Sequence, residues 1–182
     1  MDLHPIAVPP VAAEVAAVAE ILGPESAGAA WRTTPRAAAE SRRHLLLPVL
    51  HSIQRRLGWI SPGALGEACR RLEVPPAEAW GVATFYALFA TEPTPPVVVH
   101  ACDDIACKTR GADALCAQLE QRFGPPGSGA SATWMRSPCL GLCEQAPAAM
   151  LVLAGDEPRS ASWGTTTADE IASAMGSGRA PD

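Results

Sequence analysis

The sequence predicts an α+β protein, with a helical first half and a mixed α/β second half. The first observation is helical periodicity in residues 41–92, where apolar residues recur three, four and seven positions apart. The second is a set of short β-branched or apolar runs between residues 97 and 154. The third is that four of the six cysteines come just after two of these runs. Together they indicate a helical subdomain followed by a sheet that carries a metal or redox site.

Breaks rich in proline and glycine divide the chain into three parts. Residues 1–40 are predicted to be a flexible N-terminal arm for partner binding, in which residues 11–22 form a short helix. Residues 41–92 are predicted to be a three-helix subdomain, and residues 97–176 an α/β domain. Residues 92–96 link the two.

Helix start signals mark the three helices of the middle part. Ser41 is a candidate N-cap for the first helix, Ser61 followed by Pro62 opens the second, and two prolines at 75–76 open the third. Gly58 is a candidate C-cap. The aromatic residues of this part are predicted to form its core, and they are Trp59, Trp80, Phe85 and Tyr86.

The α/β part is predicted to contain three strands and two helices. The strands are expected at residues 97–101, 132–136 and 148–154, and the helices at residues 111–123 and 169–175. Thr167 is a candidate N-cap for the last helix.

Composition and charge exclude several function classes. The net charge is −5, and no basic face is evident that would attract nucleic acid. The longest apolar run, residues 44–53, is far shorter than a membrane span, so we expect no direct membrane insertion. We expect a cytoplasmic protein, with any attachment to the inner membrane made through partners. In that compartment six cysteines favour metal or redox chemistry over disulfides.

Four cysteines form two pairs that define the candidate site. Cys102 and Cys107 are five positions apart, and Cys139 and Cys143 are four apart. Thiolates suit iron–sulfur clusters, Cu(I) and zinc, and four of them can complete tetrahedral coordination at both irons of a [2Fe–2S] cluster. A structural zinc site stays open as the alternative, in an interaction module without a redox role. A thioredoxin-type dithiol and a plant-type ferredoxin are excluded, because neither spacing is present.

Other reactive side chains have simpler interpretations. Cys69 and Cys116 lie outside both pairs and are predicted to be small buried hydrophobic residues. His51 is predicted to pack or to hydrogen-bond at the surface. His100, two positions before Cys102, is interpreted as a strand residue, with tuning of a cluster as the alternative.

Three stretches of the sequence resemble the 24 kDa-type subunit of NADH dehydrogenase, which also occurs in NAD-reducing hydrogenases and NAD-dependent formate dehydrogenases. The first is residues 46–54 with residues 57–60, and the second is the Gly-Val-Ala-Thr-Phe-Tyr run at residues 81–86. The third is Cys-Leu-Gly-Leu-Cys at residues 139–143, followed by Ala-Pro at residues 146–147. The resemblance covers residues 45–175.

The resemblance implies a thioredoxin-like ferredoxin domain after the helical subdomain. It implies one [2Fe–2S] cluster on Cys102, Cys107, Cys139 and Cys143, in an electron-transfer subunit that is not catalytic alone. It also implies a partner subunit that binds FMN and NAD(H) and carries a [4Fe–4S] cluster, with further Fe–S subunits in the complex. The assembly is then an NADH dehydrogenase-type module, a soluble formate dehydrogenase or an NAD-reducing hydrogenase.

Overall fold

The structure is a computed structural model that describes residues 8–24 and 42–181. The chain divides after Pro93 into two compact units, and each unit has its own hydrophobic core. The predicted α+β class is confirmed, since helices make up the first unit and a four-stranded mixed sheet organises the second. Ser41, the candidate N-cap, lies outside the described residues.

Four α-helices form the described part of the first unit. A 3-10 turn, Arg43–Leu45, leads directly into the second of them. The helices are α1 Ala12–Leu22, α2 Leu46–Leu57, α3 Pro62–Leu72 and α4 Pro76–Phe85.

The helix boundaries follow from capping chemistry. The Ser61 hydroxyl accepts a hydrogen bond from the Ala64 amide at 3.2 Å, and Pro62 occupies the first helical position, where no amide donor is needed. Gly58 ends α2 in the left-handed conformation, at φ +85°. Pro48 lies in the first turn of α2, so it removes no hydrogen bond from the helix.

The helix predicted at residues 11–22 is present as Ala12–Leu22, and it packs into the first unit rather than lying in a flexible arm. Ala17 and Val18 of α1 are fully buried in the same core as Leu50 and Ile53 of α2. The Ser52 hydroxyl of α2 also donates a 2.7 Å hydrogen bond to the Ala17 carbonyl. The small side chains of α1 let the two helices approach closely, and burial of this apolar face stabilises the packing. Residues 1–7 and 25–40 of the predicted arm lie outside the described residues.

The predicted aromatic core of the first unit is wrong for two of its four members. Phe85 is 79% exposed and Tyr86 is 45% exposed, at the end of α4 where the helix gives way to extended backbone. Trp59 and Trp80 are half-buried, and Trp80 packs against the core. Aliphatic and alanine side chains therefore build this core, and the aromatic rings lie at its edge.

The second unit is a four-stranded sheet with three helices. Strand order across the sheet is β2-β1-β3-β4, with β1 and β2 parallel and the other two pairs antiparallel. The elements are β1 Val97–Cys102, α5 Ile105–Lys108, α6 Ala112–Phe123, β2 Ala132–Ser137, β3 Ala149–Leu153, β4 Arg159–Trp163 and α7 Ala168–Ser177.

Helices α6 and α7 pack against one face of this sheet. Val99 and Trp134 point to that face and are fully buried against Leu119 of α6 and Ile171 of α7. Thr167 caps α7 as predicted, since its hydroxyl accepts a hydrogen bond from the Glu170 amide. The β1–α6–β2 unit therefore forms the parallel crossover that joins the two strands bearing the cysteine loops.

The strand β4 and the short helix α5 are additions that the sequence pattern did not predict. Four of the five β4 residues are exposed, so this edge strand lacks the apolar alternation that marks a buried strand. The helix α5 has only four residues, fewer than a periodicity argument can detect. Among the described residues, no helix is long and apolar enough to cross a membrane.

Candidate iron–sulfur site

The four paired cysteines lie at one end of the parallel strands β1 and β2. Cys102 is the last residue of β1 and is in register with Ser137, the last residue of β2. Because the strands are parallel, the loops that follow them leave the sheet at the same edge. Cys107 lies in the first loop, and Cys139 and Cys143 lie in the second.

The first cysteine pair is buried and tied to the sheet. Cys102 and Cys107 are each 2% exposed, and their two thiols are hydrogen-bonded to each other. The Cys102 amide donates to the Ala148 carbonyl at 2.9 Å, and the Ala148 backbone in turn hydrogen-bonds the Cys107 sulfur. Asp104 caps α5, the short helix that carries Cys107, by accepting a hydrogen bond from the Ile105 amide at 2.7 Å.

The second cysteine pair is exposed and lies on a tight turn. The Sγ atoms of Cys139 and Cys143 are 3.3 Å apart, and both residues are exposed. Gly141 has φ +81°, a left-handed conformation that L-residues rarely adopt, and this conformation folds the chain back between them. The Gly141 amide lies 3.4 Å from the Cys139 sulfur, to which it donates a hydrogen bond.

Two aspartates join the two loops. The second carboxylate oxygen of Asp104 accepts a 3.0 Å hydrogen bond from the Cys139 amide. Asp103 forms a 3.2 Å ion pair with Arg136 at the end of β2, and its amide donates to the Ser137 carbonyl at 3.1 Å. The sequence places these acids near the cysteines, but their use as links between loops depends on tertiary contacts and carried no sequence signal.

The surroundings of the site are apolar on one side and charged on the other. Ala112, Ala146 and Ala148 are buried with the first cysteine pair, and Leu140 and Leu142 pack against this cluster. Arg110 is exposed and donates to the Glu144 carbonyl at 3.0 Å, so it bridges the first loop to the second. The arrangement shields one cysteine pair from water and leaves the other at the surface.

One thiol of each pair has a raised pKa. Burial, followed by the hydrogen bond with Cys102, raises the pKa of Cys107 to about 11. The hydrogen bond with the neighbouring Cys139 thiol raises the pKa of Cys143. Metal ligands bind as thiolates, so loading this site with metal releases protons.

The structure brings the four cysteines together as two pairs of neighbouring thiols. Among the residues that the structure describes, no three His, Cys, Asp or Glu side chains converge on one ion. Two thiolates on one tetrahedral metal with bonds of about 2.3 Å stand about 3.8 Å apart. The 3.3 Å separation of Cys139 and Cys143 is close to that value, and Cys102 and Cys107 are also in contact.

The other candidate residues stay outside the site. Cys69 is 5% exposed and Cys116 is fully buried in helices, which confirms their prediction as small core residues. His51 packs edge-on against Phe89, with ring centroids 4.8 Å apart. His100 points to the same sheet face as Cys102, and burial lowers its pKa to about 4, so its ring is neutral near pH 7. Its Nδ1 atom has no partner among the described residues.

Comparison with known proteins decides the family. The family model described as thioredoxin-like [2Fe-2S] ferredoxin matches residues 33–170, well over half of the chain. The chain belongs to the thioredoxin-like [2Fe–2S] ferredoxin family. Membership confirms the resemblance to the 24 kDa-type subunit and the predicted fold. It also establishes the cofactor of this ferredoxin as a [2Fe–2S] cluster.

Relatives of this ferredoxin are components of larger enzymes. It is 32% identical over 123 residues to NADH-quinone oxidoreductase subunit 2 of Thermus thermophilus, covering 65% of this chain and 66% of the relative. It is 30% identical over 116 residues to an NADH-quinone oxidoreductase subunit of Escherichia coli, covering 62% of this chain and 70% of the relative. The matches therefore span about two thirds of each relative.

A solved structure of an NAD+-reducing [NiFe]-hydrogenase in the H2-reduced state also resembles this ferredoxin. The TM-score is 0.55 at 27% sequence identity. The match covers 72% of this chain and 22% of the hydrogenase chain.

Proposed function

We propose that this chain is the electron-transfer subunit of a multi-subunit NAD(H)-linked oxidoreductase. Its [2Fe–2S] cluster is held by Cys102, Cys107, Cys139 and Cys143. The observation that carries the proposal is the meeting of two cysteine pairs at the ends of adjacent parallel strands, in a chain of this ferredoxin family. A bound cluster supplies one-electron transfer, and the chain performs no bond chemistry by itself.

The buried and the exposed cysteine pairs have different roles in holding the cluster. The thiolates of the buried pair anchor it against the sheet, where Ala112, Ala146 and Ala148 exclude water. The exposed pair faces solvent, and the Gly141 amide donates a hydrogen bond that offsets negative charge on Cys139. Electrons therefore enter and leave on the side of Cys139 and Cys143, which is where we expect a partner to dock.

A partner subunit supplies the nicotinamide chemistry in this proposal. This assignment follows the resemblance to the 24 kDa-type subunit, whose curated relatives are subunits of larger enzymes. We assign FMN, the NAD(H) site and a [4Fe–4S] cluster to such a partner, which exchanges electrons with this chain. Further Fe–S subunits complete the assembly, in the cytoplasm or on the inner membrane through partners.

The names of the relatives favour an NADH dehydrogenase-type module. The curated relatives described above are NADH-quinone oxidoreductase subunits, and the solved relative belongs to an NAD+-reducing hydrogenase. A soluble formate dehydrogenase or an NAD-reducing hydrogenase is the alternative setting for the same role. Identification of the proteins that co-purify with the chain distinguishes these assemblies, since each contains a different catalytic subunit.

Spectroscopy of the purified chain tests the proposal. We expect a red-brown protein with about two irons and two acid-labile sulfides per chain, and an EPR signal after dithionite reduction. We also expect no oxidation of NADH by the chain alone, and reduction of the cluster by NADH once the flavin subunit is added. A colourless protein with one zinc per chain and no labile sulfide would refute the proposal.

A further inference from the structure

The exposed cysteine pair is arranged for a second chemical state besides metal binding. The Sγ atoms of Cys139 and Cys143 are 3.3 Å apart, whereas a disulfide bond is about 2.05 Å long. The sulfurs therefore need to approach by only about 1.3 Å, a shift that small side-chain rotations supply. Both residues are exposed, so a dissolved oxidant can reach either sulfur.

The other cysteines lack this access. Cys102 and Cys107 also contact each other, but each is only 2% exposed beneath the apolar cluster of the site. Cys116 is fully buried in α6, and Cys69 is buried in the first unit. The chain thus has one reachable pair of adjacent thiols and one shielded pair, which serves as an internal reference.

We propose that Cys139 and Cys143 act as a thiol–disulfide switch whenever the cluster is absent. A low-molecular-weight disulfide such as oxidised glutathione converts the pair into an intrachain disulfide, which blocks cluster loading until a thiol reduces it. The first half of the inference concerns the two thiols alone. The second half rests on the proposed function, in which both residues are cluster ligands.

Thiol–disulfide exchange with oxidised glutathione proceeds in two steps. The thiolate of one cysteine attacks the S–S bond of oxidised glutathione, which forms a mixed disulfide and releases one reduced glutathione. The second cysteine attacks the protein sulfur of that mixed disulfide, closes the Cys139–Cys143 bond and releases the second reduced glutathione. The two protein thiols lose two electrons and two protons, and both end on the two released glutathione thiols.

Closing this bond removes half of the ligands for the cluster. A sulfur in a disulfide has no negative charge to offer iron, and only Cys102 and Cys107 remain as thiolates. Two buried thiols cannot hold both irons, so iron and sulfide uptake waits for reduction of the exposed pair. The chain is then protected from loading under oxidising conditions, and the protection is reversible.

Peptide mapping of the full-length, cluster-free chain tests whether the Cys139–Cys143 disulfide forms. Trypsin places Cys139 and Cys143 together in peptide 137–159, and Cys102 and Cys107 together in peptide 72–108, with no other cysteine in either. After oxidised glutathione and then iodoacetamide, we expect peptide 137–159 without alkyl groups and lighter by two hydrogen atoms. Peptide 72–108 should carry two alkyl groups once the protein is denatured for labelling.

Two variants and a loading assay complete the test. Cys143→Ser should retain glutathione on Cys139, because no neighbouring thiol resolves the mixed disulfide, whereas Cys107→Ser should still close the Cys139–Cys143 bond. Two alkyl groups on peptide 137–159, or equal oxidation of both peptides, would overturn the inference. If neither the reduced nor the oxidised chain takes up iron, the proposed function is refuted. If both take up iron equally, only the switch is refuted.

Discussion

The two cysteine loops differ in how firmly the fold holds them. The loop after β1 contains a capped helical turn, and both of its thiols are buried against alanine side chains and the backbone of Ala148. The loop after β2 depends on one left-handed glycine and on hydrogen bonds with neighbouring residues, and both of its thiols are exposed. One loop provides a protected anchor, whereas the other provides the reactive surface.

This difference explains how one site can be both stable and accessible. In the proposed function, the buried pair is protected from competing reagents and the exposed pair lets electrons pass to a partner. Hydrogen bonds from the Cys139 amide to Asp104 and from Arg110 to the Glu144 carbonyl link the two loops.

Removal of a thiol from either loop should abolish the cluster. We expect Cys139→Ala and Cys102→Ala to lose the iron and the visible absorption, since each leaves one iron with an incomplete set of ligands. Iron, sulfide and absorption measurements on the purified variants check this. Cys69→Ala is the control, because its thiol lies in the first unit, and it should keep the full iron content. Normal iron content in Cys139→Ala would contradict the assignment of the ligands.

The two pairs should differ in their reaction with iodoacetamide when the chain is cluster-free and reduced. With its pKa raised to about 11, Cys107 has a thiolate fraction about 100-fold below that of an ordinary thiol at pH 8, and burial slows it further. We expect peptide 137–159 to be labelled at least about tenfold faster than peptide 72–108.

The pH dependence of this labelling follows from the sign of the shift. A raised pKa keeps the Cys107 thiol protonated, so its labelling should keep rising as the pH approaches 11. Labelling rates at several pH values, measured on native protein, check this. Equal rates for the two peptides at pH 8 would mean that the buried pair opens to solvent.

Loss of the Asp104 side chain should loosen the link between the loops. Asp104→Ala removes the hydrogen bonds from the Ile105 and Cys139 amides, which together contribute about 1–2 kcal/mol. We expect the cluster to be lost to a chelator about tenfold faster. Asp103→Ala is the matched control, because its exposed ion pair with Arg136 contributes at most about 1 kcal/mol. Faster cluster loss in Asp103→Ala than in Asp104→Ala would show that Asp103, and not Asp104, links the loops.

The left-handed turn of the exposed loop should show the smallest effect. Gly141→Ala places a side chain at φ +81° with no atom within 4 Å, so the cost is backbone strain alone, about 1 kcal/mol. Gly81→Ala in α4 is the control, since it also meets nothing within 4 Å but keeps helical backbone. It should stabilise the chain by about 0.5–1 kcal/mol. Unfolding by urea measures both, and a neutral Gly141→Ala would show that the turn relaxes.

Local sequence signals predicted most of the elements because their causes are local. Ser61, Pro62 and Gly58 set helix ends through the backbone groups next to them, and Thr167 does the same for α7. The apolar runs of β1 and β3 predicted strands because both are buried on the helical face of the sheet. β4 carried no such signal, because an exposed edge strand is held by hydrogen bonds to its neighbour rather than by burial.

The sequence predictions that failed in the first unit concerned packing, which composition does not encode. Phe85 and Tyr86 are apolar enough for a core, but α4 ends at Phe85 and leaves both rings at the surface. The alanine-rich α1 was expected in a flexible arm, yet its small side chains allow the close contact that buries Ala17 and Val18. Which surface an apolar residue meets depends on how the helices are arranged.

The sequence alone determined the ligand chemistry, since the spacing of Cys102, Cys107, Cys139 and Cys143 and their soft sulfur atoms restrict the candidate metals and clusters. Only the tertiary structure decided that one pair is buried and the other exposed. The parallel pairing of β1 and β2 brings the loops to one edge, and Asp104 joins them across 35 positions of sequence. Burial and such contacts belong to the folded chain as a whole, so no local pattern predicts them.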